Sequence, residues 1–373
     1  MAGERPEHPI SLLELAERVQ RDADPKTAAY VFGAAGTEDT MRANEDAFRR
    51  WRIVPRMLRD VSQRDLSATV LGTPLPAPVA LAPIGVQTIV HPEGELAVAR
   101  GAAAVGLPMA VSTVSSSTLE QIAQAAGGPK WFQLYWPTDR ELATSLLARA
   151  ESAGYAAVMV TLDTFLPGWK PRDLQSAWQP FFEGVGIANY TSDPVFRARL
   201  ARPPEDDPQA AIGEFVVQFS NPRLTWEDLE FLRSRTTLPI ALKGILHPDD
   251  ARAARDHGVD AVVVSNHGGR QVDGAIASLD ALPAIVDAVG GELQVLLDSG
   301  IRSGADVFKA LALGADAILL GRPYLWGLAV GGEAGVIAVL RAILAELDLT
   351  LGLSGHTRPG DVPPSALVRE PPR

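Results

Sequence analysis

The chain predicts an α/β fold: a (β/α)8 TIM barrel with an N-terminal helical cap and a long lid insertion after the fourth strand. Three features of the sequence lead there. Eight short runs of mostly apolar, often β-branched residues read as strands buried on both faces, the kind a parallel sheet contains. A helical stretch follows each run, which is the repeat of a barrel. An open doubly wound sheet would have fewer such units and a reversal of strand order.

Taken in order, helical segments are expected over 10–22, with Leu12, Leu13, Leu15 and Val19 on one side, over 26–34, and, after a lead-in of Gly36, Thr37 and Glu38, in a polar helix ending near Phe48. These precede the repeat and form the cap. Strands are expected at 79–85, 108–113, 131–135, 157–163, 239–244, 261–267, 294–300 and 317–321. The helices between and after them lie near 93–105, 117–126, 139–153, 226–235, 249–257, 279–289, 304–313 and 333–347. Thr138 with Glu141, Thr225 with Asp228 and Ser303 with Asp306 have capping-box spacing, and Pro248 suits a first helical turn. Gly106, Gly127, Gly154, Gly258, Gly290 and Gly314 suit left-handed helix ends. The spacing breaks once, over 165–222, a stretch rich in Pro, Trp, Phe and Gly that leaves the active-site end of the barrel and is expected to be a lid. The proline-rich tail from Pro359 to Arg373 is expected to be loosely ordered.

Composition excludes several classes of protein. A net charge of −11 argues against nucleic acid or an anionic membrane as partner, since both favour a basic surface. The absence of cysteine removes disulfides, thiolate metal sites, iron–sulfur clusters and cysteine nucleophiles. No histidine pair has metal-ligand spacing, so no metal is expected. The opening Met-Ala-Gly-Glu-Arg-Pro-Glu-His lacks a signal-peptide pattern, and no window approaches the roughly 18 apolar residues of a membrane span. The expectation is a cytoplasmic chain of one domain, 1–373, with the barrel at 79–347.

In a barrel the carboxyl ends of all strands meet at one mouth. The stretch Ala261-Val-Val-Val-Ser-Asn-His-Gly-Gly-Arg-Gln271 therefore puts His267, which can take a proton near neutral pH, beside Arg270, whose fork suits a carboxylate. The other ends are Ala82-Pro-Ile-Gly85, Ser112-Thr113, Gln133-Leu-Tyr135, Thr161-Leu-Asp163, Lys243-Gly244, Asp298-Ser-Gly-Ile-Arg302 and Gly321-Arg322. The last two strand ends pair glycine with arginine, Gly300 with Arg302 and Gly321 with Arg322, at the common phosphate site of barrels. Ser303 starts a helix whose N-terminus adds donors. Lys243 stands on a buried strand and so requires an anion: a phosphate, the N1–C2=O region of a flavin, or a carboxylate. A Schiff-base role in a lyase or isomerase is the alternative.

These segments, with Leu242-Lys-Gly244, Ser265-Asn-His-Gly-Gly-Arg-Gln271 and Leu320-Gly-Arg-Pro323, resemble the FMN-dependent α-hydroxy acid dehydrogenase/oxidase family over residues 10–357. Tyr30-Val-Phe-Gly-Ala-Ala-Gly36, Ala82-Pro-Ile-Gly-Val86, Gly168-Trp-Lys-Pro-Arg-Asp-Leu174 and Ala188-Asn-Tyr-Thr-Ser-Asp-Pro-Val-Phe196 are most similar to its lactate 2-monooxygenase branch. The resemblance implies FMN at the barrel mouth, with Gly300, Arg302, Gly321 and Arg322 at its phosphate and Asp298 at its ribityl chain. It places Pro83, Ile84, Gly85, Ser112, Gln133, Thr161, Lys243 and Ser265 around the ring. Tyr30, Tyr135, Lys170 and Arg270 would hold the substrate, His267 would be the base, Asp163 its support, and Lys243 would stabilise negative charge on the flavin. The implied reaction is oxidation of an L-2-hydroxy acid with O2, either as lactate 2-monooxygenase giving acetate, CO2 and water, or as an oxidase releasing a 2-oxo acid and peroxide. A homo-oligomer, tetramer or octamer, is implied too. Two positions depart from the family pattern. Lys170 replaces an arginine, with Arg172 available to compensate. Val114 replaces a large aromatic, which opens the pocket to a longer side chain.

Overall fold

The computed structural model describes residues 7–370. Its eight central strands form a closed, wholly parallel barrel. They are Val79–Leu81, Met109–Ser112, Lys130–Leu134, Val158–Thr161, Ile240–Ile245, Ala261–Val264, Gln294–Leu297 and Ala317–Leu320. The last closes on the first, with Ile318 opposite Val79. Most strands are shorter than the expected runs because the chain turns out of the sheet where polar, glycine and proline residues begin. Thus the first strand stops at Leu81, and Pro83 to Gly85 become mouth loop.

Side chains alternate between the two barrel faces. Ala80, Ala110, Met159, Ala241, Val263, Leu296 and Leu319 fill the interior with Trp131. Val79, Leu81, Val111, Phe132, Val158 and Val160 pack outward under the helices. The small interior residues leave room for Trp131, whose indole N–H donates to Thr73 Oγ1 at 3.3 Å. Thr73 belongs to a hairpin, Ala68–Val70 with Thr73–Leu75, that seals the barrel floor. The sequence reading did not find this hairpin.

One irregularity shapes the site. The register between the fifth and sixth strands shifts at Lys243/Ile245, around Gly244 with φ of 107°. A Cβ there would lie 2.8 Å from the Asp163 side chain. Glycine is thus required for Asp163 to sit at the mouth.

The cap helices form at Leu12–Asp22, Pro25–Phe32 and Asp39–Arg49, close to their expected bounds. Several local expectations need correction. Asp139, not Thr138, caps the helix Arg140–Ser152, because it stands directly before the first helical residue and its carboxylate accepts from two backbone N–H groups, those of Glu141 and Leu142. Thr138 instead donates to Gln218 Oε1. Gly127 takes no left-handed turn, since its helix already ends at an extended Ala126. The last helix is longer than expected, Arg322–Leu353, and is interrupted at Gly331 and Gly332, where the backbone leaves helical angles.

The 165–222 insertion contains helices at Pro171–Gln175, Ala188–Thr191, Pro194–Ala198 and Pro208–Phe219, so it is not structureless. Asp193 and Asp207 cap two of these ahead of Pro194 and Pro208. Tyr190 packs edge-on against Phe196 and Phe215, and Phe215 packs on Phe219. The tail also departs from expectation. Leu367–Arg369 pairs antiparallel with Trp51–Ile53, and Val362, Ala366 and Leu367 are buried, so apolar contacts order it despite its prolines. Its last three positions, 371–373, lie outside the described residues. Among the described residues no helix is long and apolar enough to cross a membrane.

Candidate active site

The strand ends, the second cap helix and the lid enclose a cavity of about 580 Å³. His267 follows the sixth strand in a left-handed conformation, φ 59°, an uncommon state for a residue with a Cβ and one often found at functional sites. Its backbone N–H donates to Ser265 Oγ at 3.1 Å. Nδ1 stands 2.8 Å from Asp163 Oδ1, and Nε2 faces the cavity, 3.4 Å from the Tyr135 hydroxyl. The carboxylate partner makes Nδ1 the protonated nitrogen and leaves Nε2 free to accept a proton. Burial acts to raise Asp163, but the charges of His267 and Lys243 outweigh it, and its pKa is lowered. An ionised Asp163 is placed to support positive charge on the His267 ring.

Arg270 is fixed by the cap. Its Nη1 donates to the carbonyls of Tyr30 and Gly33, each at 2.8 Å, and its guanidinium lies 4.9 Å from the Tyr30 ring centre. Nη2 meets Asp173 Oδ2 at 3.3 Å. Asp173, in the first lid helix, is buried, and burial raises its pKa even against Arg270 and Lys170. Lys170 lines the same cavity and donates only to the Gly168 carbonyl, 3.2 Å away. Burial and the Arg270 charge bring Lys170 down to about 8, although Asp173 opposes them. Arg172 does not compensate for the missing arginine. It points to Glu38 and does not reach the cavity.

Lys243 finds its anion in Asp298, 3.1 Å away, and also donates to Ser265 Oγ at 2.9 Å. Burial works against the charged amine, but Asp298 and Asp163 outweigh it and raise the lysine pKa. The expected anion site lies beside this pair. Arg302 lines the cavity and pairs with Glu45 at 3.0 Å. Among the described residues the half-buried Arg322 donates to backbone carbonyls, those of Val31, Gly33 and Gly268. Burial and the charges of Arg302 and Arg270 lower it to about 9, so an anion there would relieve two kinds of stress. The Arg322–Leu353 helix begins at Gly321 with no side-chain cap, but Pro323 carries no N–H and the Tyr324 N–H donates to the Gly321 carbonyl, so the site's anion binding rests on the arginine side chains.

Pro83, Ile84 and Gly85 form part of the cavity wall, as do Tyr30, Tyr135, Asp298 and Gly300. Ser112, Gln133 and Ser265 stand behind it, buried. Ser112 Oγ donates to Gln133 Oε1 at 2.9 Å, which leaves Gln133 Nε2 without a partner. Thr161 Oγ1, on the strand position opposite Lys243, is also buried and unpartnered. Two orphaned donors at one end of the site and a cationic pocket at the other suit a phosphorylated ring with hydrogen-bond acceptors. The sequence reading missed Asp173, Ser299 and Glu45. Ser299 donates to Asp298 and accepts from Gly268 N–H. Only its place beside Asp298 could have drawn attention to it.

The barrel mouth thus sets a cationic pocket suited to a phosphorylated cofactor beside a histidine–carboxylate pair, and comparison with known proteins says which class of protein this is. The family described as FMN-dependent dehydrogenase matches residues 19–369. The chain is 46% identical to an L-lactate oxidase of Lysinibacillus sphaericus, over 94% of this chain and 90% of the relative. It is 42% identical to a 4-hydroxymandelate oxidase of Amycolatopsis orientalis, over 93% and 94%. A crystal structure of mandelate oxidase superposes with a TM-score of 0.86 at 40% identity, covering 97% of this chain and 98% of that one. The chain belongs to the FMN-dependent dehydrogenase family and is an FMN-dependent oxidoreductase.

Proposed function

We propose that this FMN-dependent enzyme, an oxidase of 2-hydroxy acids, acts on L-acids whose side chain is apolar and larger than the methyl of lactate. The products are the 2-oxo acid and hydrogen peroxide. The observation that carries this reading is Val114. It is a small side chain in a cavity wall where Phe181, Phe215 and Phe219 also stand, so the cavity has a wide apolar compartment. Relatives named for mandelates are in keeping with it. FMN would be held at its phosphate by Gly300, Arg302, Gly321 and Arg322, along its ribityl chain by Asp298, and at its ring by Pro83, Ile84, Gly85, Ser112, Gln133, Thr161, Lys243 and Ser265. The orphaned Gln133 and Thr161 donors support that orientation. Bound FMN supplies the two-electron acceptor and returns the electrons to O2.

The protein's own groups do the rest. Arg270 and Lys170 hold the substrate carboxylate, and Tyr30 and Tyr135 orient the acid. His267 Nε2 takes the hydroxyl proton, and Asp163 steadies the resulting charge. The lid exposes Phe165, Leu166, Phe182 and Val217, apolar side chains that a homo-oligomer would cover.

A panel of L-2-hydroxy acids tests the substrate. Acids with an aryl or long alkyl side chain should reduce the enzyme faster than lactate does. Val114→Phe should reverse that order by about tenfold or more, the scale of apolar-pocket discrimination. A second reading, the monooxygenase outcome on L-lactate, draws support from how firmly the lid is tied down. The Trp169 carbonyl accepts from Gly36 N–H at 2.8 Å, and Asp173 holds Arg270. A lid so held could keep the oxo acid beside the peroxide. A preference for lactate with CO2 in place of free peroxide would select that second reading.

Lys170 makes a separate prediction. With a pKa near 8 it is a cation in neutral solution and loses its charge above that. The KM for the hydroxy acid should therefore rise as pH passes 8, with kcat little changed. Lys170→Arg should abolish the rise. A KM profile identical in both proteins would remove Lys170 from carboxylate binding.

A further inference from the structure

Beside the catalytic cavity lies a second one, of about 290 Å³. The two share Tyr135, Thr164 and Phe219 as wall. The partition includes two aromatic rings in edge contact, their centres 5.0 Å apart. Trp136, Leu162, Leu224, Trp226 and Leu229 line the second cavity, and no charged side chain does. Its wall includes the half-exposed Phe165, so it reaches the surface, and it also includes Thr161, the strand neighbour of Lys243. The mouth of the catalytic cavity is different. It is covered by the Gly168–Asp173 stretch of the lid and crowded with charge from Arg270, Lys170 and Asp173.

We propose that this second cavity is the side entrance through which O2 reaches the reaction centre. The inference rests on the reading of the chain as an enzyme that hands electrons to O2. The wall is mostly apolar and its polar members, Thr161, Thr164, Asn221 and Thr225, carry no charge, so it admits a small apolar molecule such as O2 more readily than a carboxylate. A 2-hydroxy acid, with its carboxylate, enters where the cations are. A second, uncharged route lets O2 arrive while the lid and the oxo acid still block the mouth. O2 passes the Tyr135–Phe219 partition, takes up the two electrons and two protons that the hydroxy acid loses in becoming the 2-oxo acid, and leaves as hydrogen peroxide.

The test separates the two halves of turnover in holoenzyme. Leu224→Trp and Leu229→Phe each fill the cavity and leave every residue assigned to binding or chemistry in place. Reduction by the hydroxy acid without O2 should stay within about twofold of wild type, while the rate constant for reoxidation by O2 falls about fivefold or more. Reoxidation at the wild-type rate in both variants overturns the proposal. So does slower reduction by large acids with unchanged reoxidation, which would make the cavity a side-chain subsite. Failure of reduction in the wild type would sink the functional reading itself, a distinguishable result. Should the variants not fold, crystals of the wild type under xenon pressure decide. Xenon between Tyr135 and Leu229 is expected, and xenon bound only elsewhere counts against the entrance.

Discussion

His267→Ala should keep its FMN and lose reduction by substrate, with the anaerobic rate falling roughly 10²–10⁴-fold. The loss follows from position. His267 Nε2 faces the cavity 3.4 Å from Tyr135, and Nδ1 is held by Asp163 at 2.8 Å. Alanine removes the only histidine among the described residues that line the cavity, and water in its place would have no fixed direction and no basic nitrogen to take the proton, even with Asp163 still beside it. FMN should stay because the cationic end, Arg302 and Arg322, and the Lys243–Asp298 pair are untouched. Fold stability should fall modestly. Asp163 loses a part-buried hydrogen-bond partner, which costs about 1 kcal/mol. The backbone strain at φ 59° changes little, because alanine carries the same Cβ. The measurement is the flavin absorbance after acid is added without O2, with dithionite as control. A variant bleached by the acid at the wild-type rate would end the assignment of His267 as base.

The barrel was legible because its signals are local. Each strand is a short apolar run, and polar residues begin where it ends, so Asp163, Lys243, His267 and Asp298 could be placed at one mouth from order alone. What was missed depends on contacts distant in sequence. Nothing near Lys243 says that its anion is Asp298, two strands away around the barrel. Glu38 claims Arg172, and Asp173 claims Arg270, across gaps that no periodicity spans. The floor hairpin has only three residues per strand, and the tail strand near Leu367 pairs with Trp51 across almost the whole chain. The lid helices are a different kind of miss. Asp193-Pro194 and Asp207-Pro208 are helix starts plain in the sequence, but the helix after Asp193 is five residues long and shows no apolar period.

Lys243→Met should cost both stability and cofactor, and a second substitution should part the two. Lys243 and Asp298 meet at 3.1 Å with side chains only 4% and 8% exposed. Methionine keeps the length of the lysine stem but leaves Asp298 as an uncompensated buried charge, which typically costs 3–5 kcal/mol. Asp163 loses a stabilising positive neighbour too, since Lys243 helps hold its pKa down. The variant should therefore unfold at lower denaturant and purify with little or no flavin colour. Lys243→Met with Asp298→Asn removes both charges, so most of the stability should return. If Lys243 acts on the flavin itself, by supporting negative charge there, the double variant should still bind FMN weakly and be reduced slowly by substrate. If its only task were to neutralise Asp298, FMN affinity and reduction would recover with stability to the level of Asp298→Asn alone, the control for the ribityl contact proposed for the carboxylate. Denaturant midpoints, flavin titration and reduction rates on these four proteins decide between the two roles, because only a direct action on the flavin leaves the double variant below Asp298→Asn.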